Sequence, residues 1–273
     1  IVLPEVPDDD LGDIPDGGLA FAKARRSDLN VIRKANAWKQ AVRAYLASIS
    51  YADEQIGRVL DALHRSPHAA NTVIVLWSDH GWHLGEKGHW HKSTLWEEAT
   101  RVPLVISAPG YRSGECDRPV SLLDLYPTLI ELCTAGTSSA VQDSVVKLQN
   151  LRDENTQLDG VSLVPLLRDP KAEWNRPAVI EYKQGNVAVR SERYRYIRYR
   201  DGGEELYDHR VDSHEWNNLA SEKDAAPIKS ELAGWITKQW AEPAPTKRAF
   251  LFDPDAFTWT HRETGTTTHG KEK

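Results

Sequence analysis

The stretch VIVLWSDHGWHLGEKGHWHK, residues 73–92, is the most informative part of this 273-residue chain. A short apolar run, Val73–Trp77, ends in Ser-Asp-His-Gly, and a loop rich in Gly, His and Trp follows. Such a run predicts a buried strand that delivers polar side chains to the carboxyl edge of a parallel sheet. Open α/β folds place their active sites at that edge, so the stretch predicts a fold class and a site together.

The segments around this strand indicate an α/β fold. Apolar residues recur at steps of three and four between Trp38 and Leu63, which predicts a helix with one stripe facing a core. We predict a second buried strand over Val102–Ser107 and a helix over Ser121–Leu132, capped by Asp124. Strand, helix and strand in this order favour a mainly parallel sheet flanked by helices.

The composition changes after Pro170. The stretch Val187–Arg200 alternates Arg and Tyr, and Asp201-Gly202-Gly203 forms a hairpin turn before Glu204–Tyr207. These patterns predict a small antiparallel sheet with one charged, solvated face. A helix over Ala226–Trp240 is expected to pack on this sheet.

We therefore divide the chain into two domains. Residues 1–172 are expected to belong to a large α/β domain, with an extended segment over residues 1–30 and an insertion at residues 136–157. Residues 173–273 are expected to form a small carboxyl-terminal α+β subdomain and a tail.

Composition excludes several classes of protein. The net charge of −6 argues against a nucleic-acid binder that neutralises phosphates, and favours a strand over a base-stacking surface for the Arg and Tyr alternation. No stretch approaches the roughly 20 apolar residues of a membrane span. The two cysteines, Cys116 and Cys133, lack metal-type spacing and are interpreted as buried or incidental thiols.

Asp79 and His80 are candidate metal ligands at the end of the first strand. A carboxylate suits a hard cation such as Ca²⁺ or Mg²⁺, which needs further oxygen ligands from elsewhere. The alternative is that Asp79 caps the following turn, with His80 hydrogen-bonded beneath it. The spacing leaves both open.

The other polar residues of the loop are weaker candidates. His83, His89 and His91, with His80, invite a zinc site, but they lie in a Gly-rich loop without a nearby cysteine, so loop histidines bonded to backbone groups are favoured. Lys92 offers a compact cation that suits a sulfate or phosphate oxygen.

These residues carry a resemblance to a known family. The run DHGWHLGEKGHWHK, with WEEATRVPL at residues 96–104, resembles the second metal-binding segment of type I sulfatases, in the form of iduronate-2-sulfatase-like enzymes of the alkaline phosphatase superfamily. Further blocks match that family in the same order, and the resemblance covers most of residues 1–240 outside 136–157. These blocks are SISYADEQIGRVLDAL, SLLDLYPTLIELC, LDGVSLVPLL and LYDHRVDSHEWNNLA.

The resemblance implies a site and a reaction. In that family a Ca²⁺ ion is held by carboxylates of the amino-terminal half and by an Asp-Asn or Asp-His pair. Asp79 and His80 would be this pair, with Mg²⁺ the less favoured ion, and Lys92 would grip the sulfate. The nucleophile is a formylglycine made within a Cys/Ser-x-Pro-x-Arg motif, and metal and lysine stabilise charge on the sulfate oxygens.

The chain departs from the family at the nucleophile. Neither Cys116 nor Cys133 begins the motif, and in the run from Ser107 to Arg112 the arginine comes one residue late. We therefore expect this chain to be the carboxyl-terminal portion of a sulfatase whose nucleophile lies on another segment.

The expected partners follow from that reading. The substrate would be a sulfated sugar or glycosaminoglycan-like chain, and the amino-terminal half, or a second copy, would complete the fold. By resemblance the location would be periplasmic, extracellular or lysosome-like. Rival hypotheses are a phosphonate or phosphate ester hydrolase of the same superfamily, and a noncatalytic chain that binds glycan or docks to a partner.

Overall fold

The chain forms two compact units, Ile1–Ile236 and Thr237–Lys273. The computed structural model describes residues 1–24, 26–134, 158–240, 250–253, 256, 258–262 and 264–269. The insertion expected at residues 136–157 lies outside the described residues. The boundary predicted at residue 172 falls within the first unit and stays a prediction.

The elements are as follows in chain order. The helices are α1 (Asp16–Ala24), α2 (Arg26–Lys34), α3 (Trp38–His64), α4 (Glu97–Thr100), α5 (Leu125–Thr134), α6 (Val164–Arg168) and α7 (Ala225–Ala233). Single 3₁₀ turns lie at Ala69–Asn71, Glu86–Gly88 and Leu122–Asp124. The strands of the first unit are β1 (Ile74–Trp77), β2 (His83–Leu84), β3 (Trp90–His91), β4 (Leu104–Ser107), β5 (Ala178–Glu181), β6 (Val187–Arg190), β7 (Tyr194–Arg198) and β8 (Glu204–Asp208).

The two strands predicted as parallel neighbours, β1 and β4, pair antiparallel, with Ile74 opposite Ser107 and Trp77 opposite Leu104. All strand pairs among the described residues are antiparallel, so a mainly parallel sheet is not seen there. The hairpin β2–β3 and the short helix α4 lie between these two strands in the chain.

The prediction that these strands are buried is wrong for the described residues. Leu76 is 38% exposed, Trp77 49% and Val105 56%. The β1–β4 sheet has two strands in the described part of the chain, and apolar side chains are exposed on both of its faces, since the adjacent Leu76 and Trp77 point to opposite sides.

Helix α3 confirms the predicted helix but not its predicted burial. Val42 is 2% exposed and packs with Leu29 and Trp90. Farther along the same helix, Ile49 is 50% exposed and Val59 69%. A partner segment or self-association would cover such apolar surface, and that expectation stays a prediction.

The predicted antiparallel sheet is confirmed, with strand order β5-β6-β7-β8. Its β7–β8 turn contains Gly202 at φ 92, a left-handed conformation that favours glycine. The prediction that the charged face of this sheet is solvated is wrong at Arg195, which is 1% exposed. Helix α7 is shorter than predicted because it ends before Gly234.

The main core joins this sheet to the amino-terminal segment. Asp16–Ala24 and Arg26–Lys34 form α1 and α2, so an extended segment over residues 1–30 is wrong for these residues. Two glycines let α1 approach the sheet: a Cβ on Gly17 would lie 2.6 Å from Tyr199 Cβ, and one on Gly18 would lie 2.6 Å from Glu205 Oε1. The buried cluster comprises Ile14, Phe21, Ala22, Leu95, Trp96, Ala188, Ile197, Tyr199 and Tyr207.

Smaller predictions have mixed outcomes. The helical turn before α5 has Ser121 as its N-cap, and Asp124 accepts from the Ser121 backbone N–H over 2.8 Å as the other member of a capping box, so Asp124 is part of the cap but is not the N-cap residue. Cys116 and Cys133 are free and exposed, so of the two interpretations, buried or incidental thiols, burial is wrong. Among the described residues, no helix combines the length and apolar character needed to cross a bilayer.

The second unit contains a three-stranded antiparallel sheet. Its strands are β9 (Phe250–Asp253), β10 (Thr258–His261) and β11 (Thr267–His269). The strand β10 lies between the other two.

Candidate active site

The turn after β1 holds the Asp79–His80 pair in one orientation. The Ser78 hydroxyl donates to the His80 carbonyl over 2.8 Å. The Nδ1 atom of His80 lies 2.8 Å from the carbonyl oxygen of Gly81, which requires an N–H on Nδ1. In the neutral ring the proton then lies on Nδ1, which leaves the lone pair on Nε2, 3.6 Å from Asp79 Oδ1.

Gly81 fixes this turn against α4. Its N–H donates to the Ala99 carbonyl over 2.8 Å, and the Trp82 N–H donates to the Glu98 carbonyl over 2.7 Å. A Cβ at residue 81 would lie 2.0 Å from the Glu98 carbonyl oxygen. Only glycine allows the two backbones to approach this closely.

The β2–β3 hairpin returns the chain to the same end of the structure. His83 pairs with His91, and Lys92 follows directly as an exposed residue. The two neighbours of Lys92 have positive φ, 87° at His91 and 83° at Ser93. Such conformations are unfavourable for non-glycine residues and persist only where surrounding contacts hold them.

Asp79, His80 and Lys92 line one cleft of about 1790 Å³ in the first unit. Asp79 is 79% exposed at its side chain and His80 29%. Lys92 and Arg112 are the basic side chains of this cleft that have no ion pair within the described part of the chain. The others are paired: Arg101, Arg190 and Arg195 with Glu97, and Arg118 with Glu192.

The Asp79–His80 pair fits the expected metal role in one respect. Asp79 Oδ1 and His80 Nε2 lie 3.6 Å apart, close enough for both to reach one cation. The hydrogen bond from Nδ1 to a carbonyl is the usual way to orient a metal-binding histidine. Ca²⁺ takes about six to eight ligands, so other oxygen atoms are needed as well.

The capping alternative is disfavoured. Asp79 accepts no backbone hydrogen bond within the described residues, and its recorded partner is His80. The metal role of this pair and the sulfate role of Lys92 stay predictions.

The remaining histidines of the loop have other partners. His83 Nε2 lies 2.7 Å from Thr94 Oγ1, and burial lowers the pKa of His83 well below its ordinary value, with nearby cationic groups adding to the effect. Both ring nitrogens of His89 lie beside backbone carbonyl oxygens, as expected for a loop histidine. His91 Nε2 instead lies 3.1 Å from an Asp28 carboxylate oxygen.

The zinc hypothesis gains no support. In the described ranges, the group of side chains that could hold a metal consists of Glu97, His209 and Glu215. None of the loop histidines belongs to it. Arg195 already supplies a cation there, with its Nε atom 2.6 Å from Glu215 Oε1 and its Nη2 atom on Glu97.

A buried ion pair near the loop was missed from the sequence. Lys87, in the turn between β2 and β3, donates from Nζ to Asp10 Oδ1 over 2.6 Å and to the Glu215 carbonyl. The side chains of Lys87 and Asp10 are 2% and 4% exposed. Asp10 also accepts from the Lys87 backbone N–H over 2.6 Å. No local pattern signals a contact between residues so far apart in the chain.

Comparison with known proteins shows the family. A sulfatase family model matches residues 13–135, and a model described as N-sulphoglucosamine sulphohydrolase, C-terminal, matches residues 85–242. The chain therefore belongs to the type I sulfatase family, which confirms the resemblance found in its sequence.

Individual relatives agree with this assignment. A sulfatase of Formosa agariphila is 40% identical over 228 residues, which are 81% of this chain and 41% of the relative. The solved structure of a 2-O GAG (glycosaminoglycan) sulfatase matches with a TM-score of 0.64 and 27% identity, over 85% of this chain and 50% of that one. A phosphonate monoester hydrolase of Agrobacterium radiobacter matches with a TM-score of 0.51 and 25% identity, over 68% and 38%.

The matches confirm a sulfatase-type fold. The chain spans about half the length, or less, of the relatives that it matches.

Proposed function

We propose that the protein containing this chain is a sulfatase that hydrolyses a sulfate ester on a sulfated sugar or glycosaminoglycan-like substrate. One observation carries the proposal: Asp79, His80 and Lys92 line the same cleft, and the Lys92 ammonium has no carboxylate partner within the described residues. A cation that is not neutralised by the protein is available to an anionic substrate.

Asp79 and His80 would hold a Ca²⁺ ion, with Mg²⁺ the less favoured ion. When bound, the ion would supply Lewis-acid stabilisation of charge on the sulfate oxygens. The role of the chain itself is orientation. The Gly81 carbonyl keeps the proton on His80 Nδ1, and α4 holds the turn that carries both ligands.

Lys92 would bind the sulfate as a point charge with three donors. As the ester S–O bond breaks, its electron pair moves to the leaving oxygen, and a fixed ammonium beside the sulfate stabilises this developing charge more in the transition state than in the ground state. The nucleophile required by this proposal is a formylglycine on a segment other than residues 1–273.

The relatives support the substrate class. A structural neighbour that covers 85% of this chain is a 2-O GAG sulfatase, so a sulfated carbohydrate is the substrate we propose here. We also propose, from the family alone, a periplasmic, extracellular or lysosome-like location.

The metal site is tested by titrating Ca²⁺ into the intact protein and into its Asp79→Asn variant, with calorimetry as the readout. Removing one ligand charge should weaken Ca²⁺ affinity about 10-fold or more. Asp53→Asn changes an exposed carboxylate of α3 and serves as the control. Equal affinities for Asp79→Asn and Asp53→Asn would exclude Asp79 from the site.

The role of Lys92 is tested by the kinetics of Lys92→Ala on an aryl sulfate. We expect kcat/KM to fall about 10²- to 10³-fold, the loss typical of removing one charge-stabilising donor. Lys39→Ala, which removes an exposed lysine of α3, is the control. Unchanged kinetics for Lys92→Ala would refute sulfate contact.

A second candidate function is hydrolysis of a phosphonate or phosphate ester. It is favoured by the structural match to a phosphonate monoester hydrolase, and Lys92 would suit a phosphonate oxygen equally well. Parallel assays of the intact protein on aryl sulfate and aryl phosphonate separate the two, because the native substrate class should show the larger kcat/KM.

A noncatalytic role is the third candidate. A chain that only binds sulfated glycan would retain Lys92-dependent binding of a sulfated oligosaccharide and show no turnover of any ester. Binding and turnover measured on one preparation distinguish this outcome.

A further inference from the structure

His89 connects the interior of the protein to Lys92. Its side chain is completely buried. The Nδ1 atom lies 3.2 Å from the carbonyl oxygen of Ala22, in α1, and the Nε2 atom lies 3.0 Å from the carbonyl oxygen of Lys92. Both carbonyl oxygens are acceptors, and a neutral imidazole carries a single N–H, so the neutral ring donates to one of them. We assign the N–H to Nε2, which makes the shorter contact, with the Lys92 carbonyl, and Nδ1 then only packs near Ala22.

The ring of His89 is itself held in place. It packs edge-on against His83, with ring centroids 5.2 Å apart and an interplanar angle of 79°. His83 in turn packs edge-on against Trp96, with centroids 6.0 Å apart. Ala22 and Trp96 both belong to the main core cluster. The rotamer of His89 is thus restrained by ring contacts that lead to the close-packed main core cluster.

The backbone that His89 holds is a strained one. His91 and Ser93, on either side of Lys92, both have positive φ. A non-glycine residue leaves this region unless other contacts compensate. The Lys92 carbonyl lies between the two strained residues, so a hydrogen bond to it restrains both. His83 adds a second restraint through Thr94.

We propose that His89 is a positioning residue: its Nε2 hydrogen bond to the Lys92 carbonyl fixes the backbone from which the Lys92 ammonium reaches the sulfate. This inference rests on the proposed sulfatase function. The proposed role of this buried histidine depends on its Nε2 atom and not on its Nδ1 atom.

Two substitutions separate the two nitrogens. His89→Gln places an amide near the position of Nε2 and can still donate to the Lys92 carbonyl, but it does not reach the Ala22 carbonyl. His89→Asn places its amide near Nδ1, beside the Ala22 carbonyl, and loses the bond to the Lys92 carbonyl. Both remove a ring and exchange it for an amide, so both should lower the melting temperature to a similar extent.

The proposal predicts different kinetics for these two variants of the intact protein on an aryl sulfate. His89→Asn should lower kcat/KM about 10- to 100-fold, the loss expected from misplacing a binding group by about 1 Å. It should weaken competitive inhibition by inorganic sulfate as well. His89→Gln should retain most of both. Equal losses in the two variants would overturn the proposal.

A double-mutant cycle tests whether His89 acts through Lys92. In a Lys92→Ala background, His89→Asn should have little further effect on kcat/KM, because the group that it positions is absent. Additive losses would overturn the positioning role. If Lys92→Ala alone leaves kinetics unchanged, the proposed function fails first. If Lys92→Ala loses activity and His89→Asn does not, the positioning role alone fails.

Discussion

The ammonium of Lys87 and the carboxylate of Asp10 lie 2.6 Å apart in the protein interior. This ion pair ties the turn of the β2–β3 hairpin to the amino-terminal segment. Lys87 also donates to the Glu215 carbonyl, and its Nζ atom lies 5.8 Å from the ring centre of Tyr207. The loop that carries Lys92 is therefore anchored on two distant parts of the chain.

Removing this cation should strongly destabilise the fold. Lys87→Met leaves the Asp10 carboxylate buried without its partner, and breaking one side of a buried pair costs about 3–5 kcal/mol. Urea unfolding of the first unit would measure the change. The exposed Lys39→Met is the matched control. A loss no larger than that of the control would show that Lys87 is not an anchor.

Gly81→Ala should disturb the turn that carries Asp79 and His80. The added Cβ would lie 2.0 Å from the Glu98 carbonyl oxygen, and overpacking of this kind costs about 1–3 kcal/mol. We also expect weaker Ca²⁺ binding, because both proposed ligands move with the turn. Gly57→Ala is the control: a Cβ there meets no atom within 4 Å, and alanine in a helix should stabilise by about 0.5–1 kcal/mol. Similar effects for the two variants would contradict the close approach.

The carboxyl group of Glu98 should make the fold less stable as the pH rises. Burial raises its pKa to about 7, and the charges of Glu86, Glu215 and Glu97 add to this effect. Because the pKa is higher in the folded state, the stabilising contribution is complete below the ordinary value of 4.5 and is lost as the pH rises through about 7.

Glu98→Gln keeps this side chain neutral at every pH. The variant should be more stable than the parent protein at pH 8, by about 1–2 kcal/mol after allowance for solvent screening. The difference should vanish near pH 4. Melting temperatures measured across this range check the sign, with Glu54→Gln on α3 as the control. A difference that stays constant with pH would exclude titration of Glu98 as its cause.

Trp96 and Glu205 form a buried hydrogen bond, and removing the indole N–H donor should lower the stability of the fold. The indole N–H donates to Glu205 Oε2 over 2.7 Å, and the hydroxyls of Tyr199 and Tyr207 donate to the same carboxyl group. Trp96→Phe should cost about 1–3 kcal/mol, because a buried acceptor loses one of its partners. Trp77→Phe, at an exposed position, is the control in thermal unfolding. Equal melting temperatures for both variants would show that the contact contributes nothing.

Local patterns predicted local structure well. Helix α3 follows the three- and four-residue apolar repeat, and the β7–β8 turn follows Asp201-Gly202-Gly203. The capping box at Ser121 and Asp124 is also local. These features depend on residues a few positions apart, whose steric and hydrogen-bonding preferences act before any distant part of the chain is in place.

Pairing and burial were predicted less well. The β-branched run of β1 suggested a parallel, covered strand, and the Arg and Tyr alternation of β7 suggested a solvated charged face. The structure instead pairs β1 with β4 antiparallel and buries Arg195 against Glu97 and Glu215. A strand pattern reports alternation, but it does not report which partner lies beside the strand or what charge faces it.

In the candidate site, too, the sequence predicted local features and did not predict long-range contacts. The sequence by itself determined that Asp79 and His80 are adjacent at a strand end, that Lys92 follows in a glycine-rich loop, and that the chain resembles the sulfatases. Only the tertiary structure decided that the three residues line one cleft, that His80 presents Nε2 toward Asp79, and that His89 reaches the Lys92 carbonyl. The reason is physical. The residue type fixes the chemistry of a side chain, whereas the orientation of each polar atom depends on partners that folding brings from distant positions.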